Sequence, residues 1–402
     1  MYLEGQRRQL ESMLDCQKSL FQLPETVSYL NGAYLSPQLR SVEAAGIAAM
    51  KRKNLPFEVQ INDFFEPIAQ LRSLFAQLIH SPKPERIAVI PSVSYGMATV
   101  ARNVQLQPGD CILTVEDQFP SNVYSWQRLA EATPGVQLRV IHAPTSEARA
   151  AAWNEQILQT IDERTRVVAI ANVHWADGTL FDLMAIRQRT RAVGALLVID
   201  GTQSVGALPI DVSVLQPDAL ICAGYKWLLG PYSIGLAYYG AVFDEGVPIE
   251  ENWINRLHSE DFKNLVRYQP VYQPGAARYS VGEQSNFVLV PMLAAALEQL
   301  LDWGVANIQD YTKKLGAGAL EVLREMGCEI ADEAERCGHL FGIRISDEVF
   351  DTKKLTEHFT LEQVYVSFRG NAIRVSPHVY NDASDFQKLL NCFSEARRKL
   401  SV

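Results

Sequence analysis

Between residues 86 and 239 the chain repeats one pattern. A short, continuous apolar run is followed by a stretch with helical spacing. The runs are IAVI (87–90), CILTV (111–115), LRVI (138–141), VVAIANV (167–173), ALLVID (195–200), ALICAG (219–224) and IGLAYY (234–239). Stretches 94–105, 121–132 and 182–193 supply the helices between several of them. A strand that is apolar at every position has both faces buried. Repeated this way, it predicts a mostly parallel sheet flanked by helices: an α/β fold.

The flanks read differently. Glu4 to Leu20 has helical spacing, and Pro24, Gly32 and Pro37 break regular structure after it. Residues 40–80 read as two helices. Past about residue 286, a long helical run from Val290 to Met326 leads into mixed strands and helices. The expected division is a large domain over 25–288 and a smaller α+β domain over 289–402, with segment 1–24 packed on the latter. A chain of 402 residues is long enough for two such units.

The formal charge of −9 argues against nucleic acid or an anionic membrane as the main partner, since both demand a basic surface. The six cysteines stand at 16, 111, 222, 328, 337 and 392, with no CxxC and no metal-ligand spacing to histidine. They read as free thiols in a reducing compartment. The polar opening and the lack of any run of ~18 apolar residues fit that reading, so the expectation is a cytoplasmic protein without a metal site. Neither GxGxxG nor GxxxxGK[ST] stands at a strand–helix junction, which leaves a nucleotide-binding reading unsupported.

Ligands of parallel sheets sit beyond the carboxyl ends of the strands. The polar and aromatic residues there are Ser92 and Ser94, Phe119, Asn172, His174, Asp200 and Lys226. Asp200 and Lys226 form the sharpest pair. A lysine amine can form a Schiff base with the aldehyde of pyridoxal 5′-phosphate (PLP). A buried aspartate can keep the pyridine nitrogen protonated, which makes the ring an electron sink. On the pair alone, a capping aspartate and an ordinary lysine remain open.

The segments IDGTQSVGALPIDV and CAGYKWLLGPYSIGLAYY carry Asp200, Gln203, Lys226, Gly230 and Pro231. They resemble the cofactor segments of the class V aminotransferase family, a group of PLP enzymes that includes cysteine desulfurases, kynureninases and isopenicillin N epimerase-like proteins. The resemblance runs from about Tyr29 to Asp382. It implies fold type I architecture, PLP, and a homodimer with active sites shared between subunits. By the same resemblance Gln203 bonds the phenolic oxygen of the cofactor, and Val93 and Ser94 form part of the phosphate cup. A helix N-terminus there suits an anion. Tyr225 reaches the phosphate, and Phe119 stacks on the ring. His174 stands where relatives place an asparagine near the phenolic oxygen. Arg374, in SFRGNAIRVSPHVYND, matches the arginine that grips the substrate carboxylate, which implies an amino-acid or keto-acid substrate. Arg369 supports the same region.

Several departures narrow the expectation. Desulfurases carry a nucleophilic cysteine on a loop before the arginine, and a histidine over the ring. Here SFRGNAIR leaves no room for that loop, and Phe119 replaces the histidine. Kynureninase has a histidine where Gln203 stands. Glu283 replaces a threonine of the cross-subunit phosphate segment, and Ala223 a serine of some relatives. The favoured expectation is transamination of an α-amino acid. Epimerisation or Cα/Cβ lysis is the runner-up, with desulfuration below both. A PLP-binding module without turnover is the non-enzymatic alternative. Tyr34, Trp253 and Tyr279, in loops 29–37 and 250–280, are candidates for the substrate pocket.

Overall fold

The structure is a computed structural model that describes residues 14–146, 148–370 and 372–398. The chain enters through strand β1 (Ser28–Tyr29), then helices α1 (Arg40–Arg52) and α2 (Glu66–Leu78). The alternating section follows: β2 (Ile87–Ile90), α3 (Val93–Arg102), β3 (Cys111–Val115), α4 (Tyr124–Ala132), β4 (Gln137–Ile141), α5 (Arg149–Thr160), β5 (Thr165–Ala171), α6 (Leu183–Val193), β6 (Leu196–Asp200), α7 (Val212–Leu215), β7 (Ala219–Ala223) and β8 (Gly235–Tyr239). The seven strands β2–β8 form one sheet in the order β2-β8-β7-β6-β5-β3-β4. Only β8 runs against its neighbours, pairing antiparallel with β2 and β7.

The lack of polar alternation has a direct cause. Successive residues of one strand fall into two different cores. Leu113, Val168, Ile170, Leu197, Ile199 and Leu220 lie in one core, and Ile112, Val167, Ala169, Val198 and Ile221 in the other. Side chains two apart share a face, so both faces are apolar and each is covered. Each such Ile, Leu or Val contributes about 1.5–3 kcal/mol by its burial. An Asp or Lys at any of these positions would leave an unpaired charge in a dry core.

After a long irregular stretch, α8 (Leu289–Trp303) and α9 (Val305–Glu325) lead into β9 (Phe341–Arg344), α10 (Thr352–Leu361), β10 (Val364–Tyr365), β11 (Ser367–Arg369), β12 (Ala372–Val375) and α11 (Ala383–Ala396). Strands β9, β11 and β12 form an antiparallel sheet with β12 in the middle. A third core joins its Phe341, Ile343, Ile373 and Val375 to Phe386, Leu389 and Phe393 of α11. Leu30 belongs to this core, and β1 pairs in parallel with β10. Residues 28–33 thus run from the C-terminal layers to the Asp200 turn, where the carbonyl of Ala33 meets Gln203.

Two expectations need correction. The run from Val290 to Met326 is two helices, bent by 70° where Gly304 takes a left-handed conformation (φ +75°). That φ is open to glycine and strained for other residues. The helix expected over 4–20 lies mostly outside the described residues. Its described end, from Leu14, is irregular and carries only the 3-10 turn Lys18–Leu20.

Candidate active site

The carboxyl ends of β3, β5, β6 and β7 meet the N-terminus of α3 around a cavity of about 220 Å³. Asp200, Lys226, Phe119, Gln203, Tyr225, Val93 and Ser94 all line it, as do Trp175 and Thr202. Register explains the convergence. Asp200, the last residue of β6, stands beside Ala171 of β5 and Ile221 of β7. Ala171 and Ala223 at neighbouring strand ends leave the space above it open.

Asp200 is buried, and burial raises its pKa above the ordinary carboxylate range. Bonds from the Thr202 amide (3.0 Å) and side chain, then the charge of Lys226, partly offset that shift. Lys226 is buried too. Loss of water pulls its amine down from 10.5 to about 8, against the pull of Asp200; Arg374 and Arg369 push the same way as burial. Its Nζ sits 5.2 Å from the Phe119 ring centre. The lysine is thus held near the pH at which it is a neutral nucleophile.

Helix α3 opens on the other side. Ser92 caps it, its hydroxyl accepting from the Tyr95 amide (3.2 Å) and lying 3.0 Å from the Ser94 hydroxyl. The helix N-terminus therefore faces the cavity, with Val93 and Ser94 lining it and Ser94 exposed to an incoming anion.

Gln203 is oriented by its neighbours. The Trp227 indole N–H can only donate, and it bonds Gln203 Oε1 at 2.9 Å. Gln203 Nε2 donates to the Ala33 carbonyl at 3.1 Å. The amide is therefore pinned with its N–H₂ end fixed, and its remaining N–H is a donor for the cavity. Behind it, His339 Nε2 lies 2.8 Å from the Gln203 carbonyl, and Nδ1 lies 2.8 Å from Gln309 Nε2. Burial lowers the His339 pKa to about 4, so the ring is neutral. A carbonyl accepts only, so the proton sits on Nε2 and Nδ1 accepts. This network ties α9 and the approach to β9 to the Asp200 turn. Trp227→Phe should keep the packing yet leave Gln203 Oε1 without its donor. The expected cost is about 1–3 kcal/mol of stability, read by denaturant unfolding, with a shifted cofactor absorption band.

His174 is not brought to the cavity. Its ring is buried against Trp153 and Phe181, Nδ1 lies 3.1 Å from Asp177 Oδ1, and Nε2 lies 3.3 Å from the Glu116 carbonyl. Both nitrogens are occupied by structural partners, which corrects the expectation that it contacts the cofactor. Its neighbour Trp175 lines the cavity instead. The Trp175 indole N–H donates to the Asp117 carbonyl at 2.5 Å, and Phe119 packs edge-on to it at 5.4 Å.

Arg374 lies behind Trp175. It is buried, and Nη1 donates to the Trp175 carbonyl at 2.8 Å. Nε and Nη2 are buried without a protein partner. Burial, then the nearby Arg369, lowers its pKa to about 9. Buried donors left open in this way suit an anionic ligand. Tyr279 is not a pocket residue: it is buried, donates to the Phe243 carbonyl and packs on Tyr239. Trp253 and Glu283 line an adjoining cleft with Arg52 and Lys53, and Tyr34 is exposed.

The residues present fit PLP: an amine held near neutrality for the aldehyde, a buried acid for the ring nitrogen, and a helix N-terminus for the phosphate. The comparisons agree. The family model for class V aminotransferases matches residues 57–389. The chain is 27% identical to an uncharacterized aminotransferase of Schizosaccharomyces pombe, over 80% of each chain. It is 28% identical to the uncharacterized aminotransferase YcbU of Bacillus subtilis, over 80% of this chain and 81% of that one. A cysteine desulfurase of Pectobacterium atrosepticum matches at 28% over 64% of this chain and 61% of its own. Among solved structures, a C-DES mutant with glycine covalently linked to its PLP cofactor superposes with a TM-score of 0.82 at 20% identity, over 94% of this chain and 99% of that one. The chain belongs to the class V aminotransferase family. It is a PLP-dependent enzyme of fold type I.

Proposed function

We propose that the enzyme transaminates an α-amino acid, as a homodimer. The observation that carries this is the tight β11–β12 hairpin. It turns at Gly370, between Arg369 and Ala372, so no cysteine-bearing loop stands before Arg374. Cys337 and Cys222 do not supply the thiolate either. Cys337 donates to the Leu340 carbonyl, and burial pushes its thiol up to about 12. Cys222, within β7, is fully buried, and burial raises its thiol well above the ordinary thiol range.

PLP, when bound, supplies an electron sink conjugated to the substrate amine. The rest falls to the side chains. Arg374 binds the carboxylate and fixes which Cα bond faces Lys226. Lys226 would take the proton from Cα and hold it on the same amine for return. Phe119 is not titratable, so Lys226 has no imidazole competing for the proton over the ring. Asp200 would hold the proton of the cofactor's ring nitrogen. The cleft holding Trp253, Phe64 and Glu283 adjoins the cavity through Pro91, Ser233 and Ile234, a place for a second subunit to complete the site. Sedimentation should give twice the 44.9 kDa chain mass.

The test is a half-reaction. The PLP-loaded protein is mixed with single amino acids, without an acceptor. Stoichiometric formation of a keto acid and the amine form of the cofactor is expected. Racemised, cleaved or desulfurated product without that conversion would replace transamination by epimerisation, lysis or desulfuration.

A further inference from the structure

The carboxylate site holds two cations, and one carboxylate uses only one of them. In the β11–β12 ladder Ser367 pairs with Arg374 and Arg369 with Ala372. Paired and alternate residues point to one face, so Arg369 and Arg374 are diagonal neighbours there, about 7–8 Å apart at the backbone. Both reach the same indole: the guanidinium carbon of Arg369 is 5.6 Å from the Trp175 ring centre, and that of Arg374 is 6.0 Å from it. Trp175 in turn lines the cavity that holds Lys226.

Neither guanidinium is neutralised by a carboxylate among the described residues. Asp177, the nearby acid, is taken by Arg344 at 2.7 Å and Arg149 at 3.3 Å. Asp200 faces Lys226. Arg369 spends Nη1 on its neighbouring Phe368 carbonyl, and its Nε is buried without a partner. Arg374 keeps Nε and Nη2 open. Like charges set diagonally on one face repel. The repulsion is relieved when each fork receives its own anion. A neutral side chain on the substrate would relieve only half of it.

We propose that the substrate is an amino acid with a second anionic group, its α-carboxylate on Arg374 and its side-chain acid on Arg369. The inference rests on the reading of Arg374 above and adds the side chain that the site selects. Trp175 contacts both forks and is held in place by its bond to Asp117. With the two arginines diagonal on the ladder, two acids set apart on one substrate reach both forks better than a single group would.

The test is binding, read by perturbation of the cofactor absorption in the holoenzyme. Aspartate, glutamate and cysteate are titrated beside asparagine, glutamine and alanine. The acidic ligands should bind about 10- to 100-fold more tightly than their neutral isosteres, the range for one charge-assisted pair. Arg369→Met, at the partly exposed end of a hairpin, should erase that ratio by weakening only the acidic ligands. Arg374→Met should weaken acidic and neutral ligands alike. Equal binding of isosteres, a ratio unmoved by Arg369→Met, or no binding of any acidic ligand would overturn the proposal. Acidic ligands that bind selectively but never yield the amine form of the cofactor would overturn transamination and leave this inference standing.

Discussion

Replacing Lys226 with alanine is expected to abolish the covalent hold on the cofactor and to cut turnover by at least about 10³-fold. The removed amine has two tasks in the proposed reaction. It is the nucleophile toward the aldehyde and the base at Cα, and general acid–base work alone is worth about 10²–10⁴-fold. The check is borohydride reduction followed by mass spectrometry, which should place the cofactor adduct on Lys226 in the parent protein and nowhere in the variant. The pH dependence follows from burial. Only the neutral amine attacks an aldehyde, and desolvation lowers its pKa to about 8. The rate of PLP capture by the apoprotein should therefore rise with pH and level off above about 8, well below the ordinary lysine range. A midpoint near 10 would mean that the amine is solvated. An adduct on another lysine would overturn the assignment.

The large sheet was legible because a strand buried on both faces writes a signal that little else can write. Seven apolar runs became β2 to β8 within a residue or two, except that VVAIANV ends as a strand at Ala171. Past that point the chain turns through Val173–Thr179, and simple strand parity no longer says which side chain faces the cavity. His174 was the chemical candidate, yet its place at 174 points it to Trp153 and Asp177. Trp175 took the cavity position, and an indole after a strand-end histidine in VHWADGT was the only hint. The helix break at Gly304 was missed for a related reason. Both flanks are helical in pattern, and one glycine within such a run is often tolerated.

The supports of the site were less legible than the site. Asp200, Gln203 and Lys226 lie close together in sequence, at the ends of adjacent strands, so pattern and resemblance could find them. Their orientation depends on Trp227, Ala33, His339 and Gln309, which span the chain from 33 to 339. No local period encodes such contacts. The same holds for the two guanidiniums: Arg374 was found by its motif, but the lack of a carboxylate partner became visible only once Asp177 was seen held by Arg149 and Arg344.

Asp200→Asn separates the two halves of the buried pair. Asparagine has nearly the same shape and can still accept from the Thr202 amide. It cannot keep a proton on the pyridine nitrogen, so the ring loses most of its power as an electron sink. Turnover should fall about 10²–10⁴-fold while Lys226 still captures the cofactor. The sign of the accompanying pH shift is fixed by the charges. Asp200 is the group that raises the Lys226 pKa against burial and against Arg374 and Arg369. Without it, desolvation and the two cations act unopposed, and the pKa must fall further. The midpoint for PLP capture should therefore move below about 8 in the variant. Stopped-flow absorbance across pH reads this directly, without any turnover. A midpoint that stays in place would mean that Lys226 feels no charge from Asp200, because the carboxylate is already protonated or lies apart from the amine, and the pairing proposed for the ring nitrogen would need another acid. A rise would overturn the electrostatic pairing of Asp200 with Lys226.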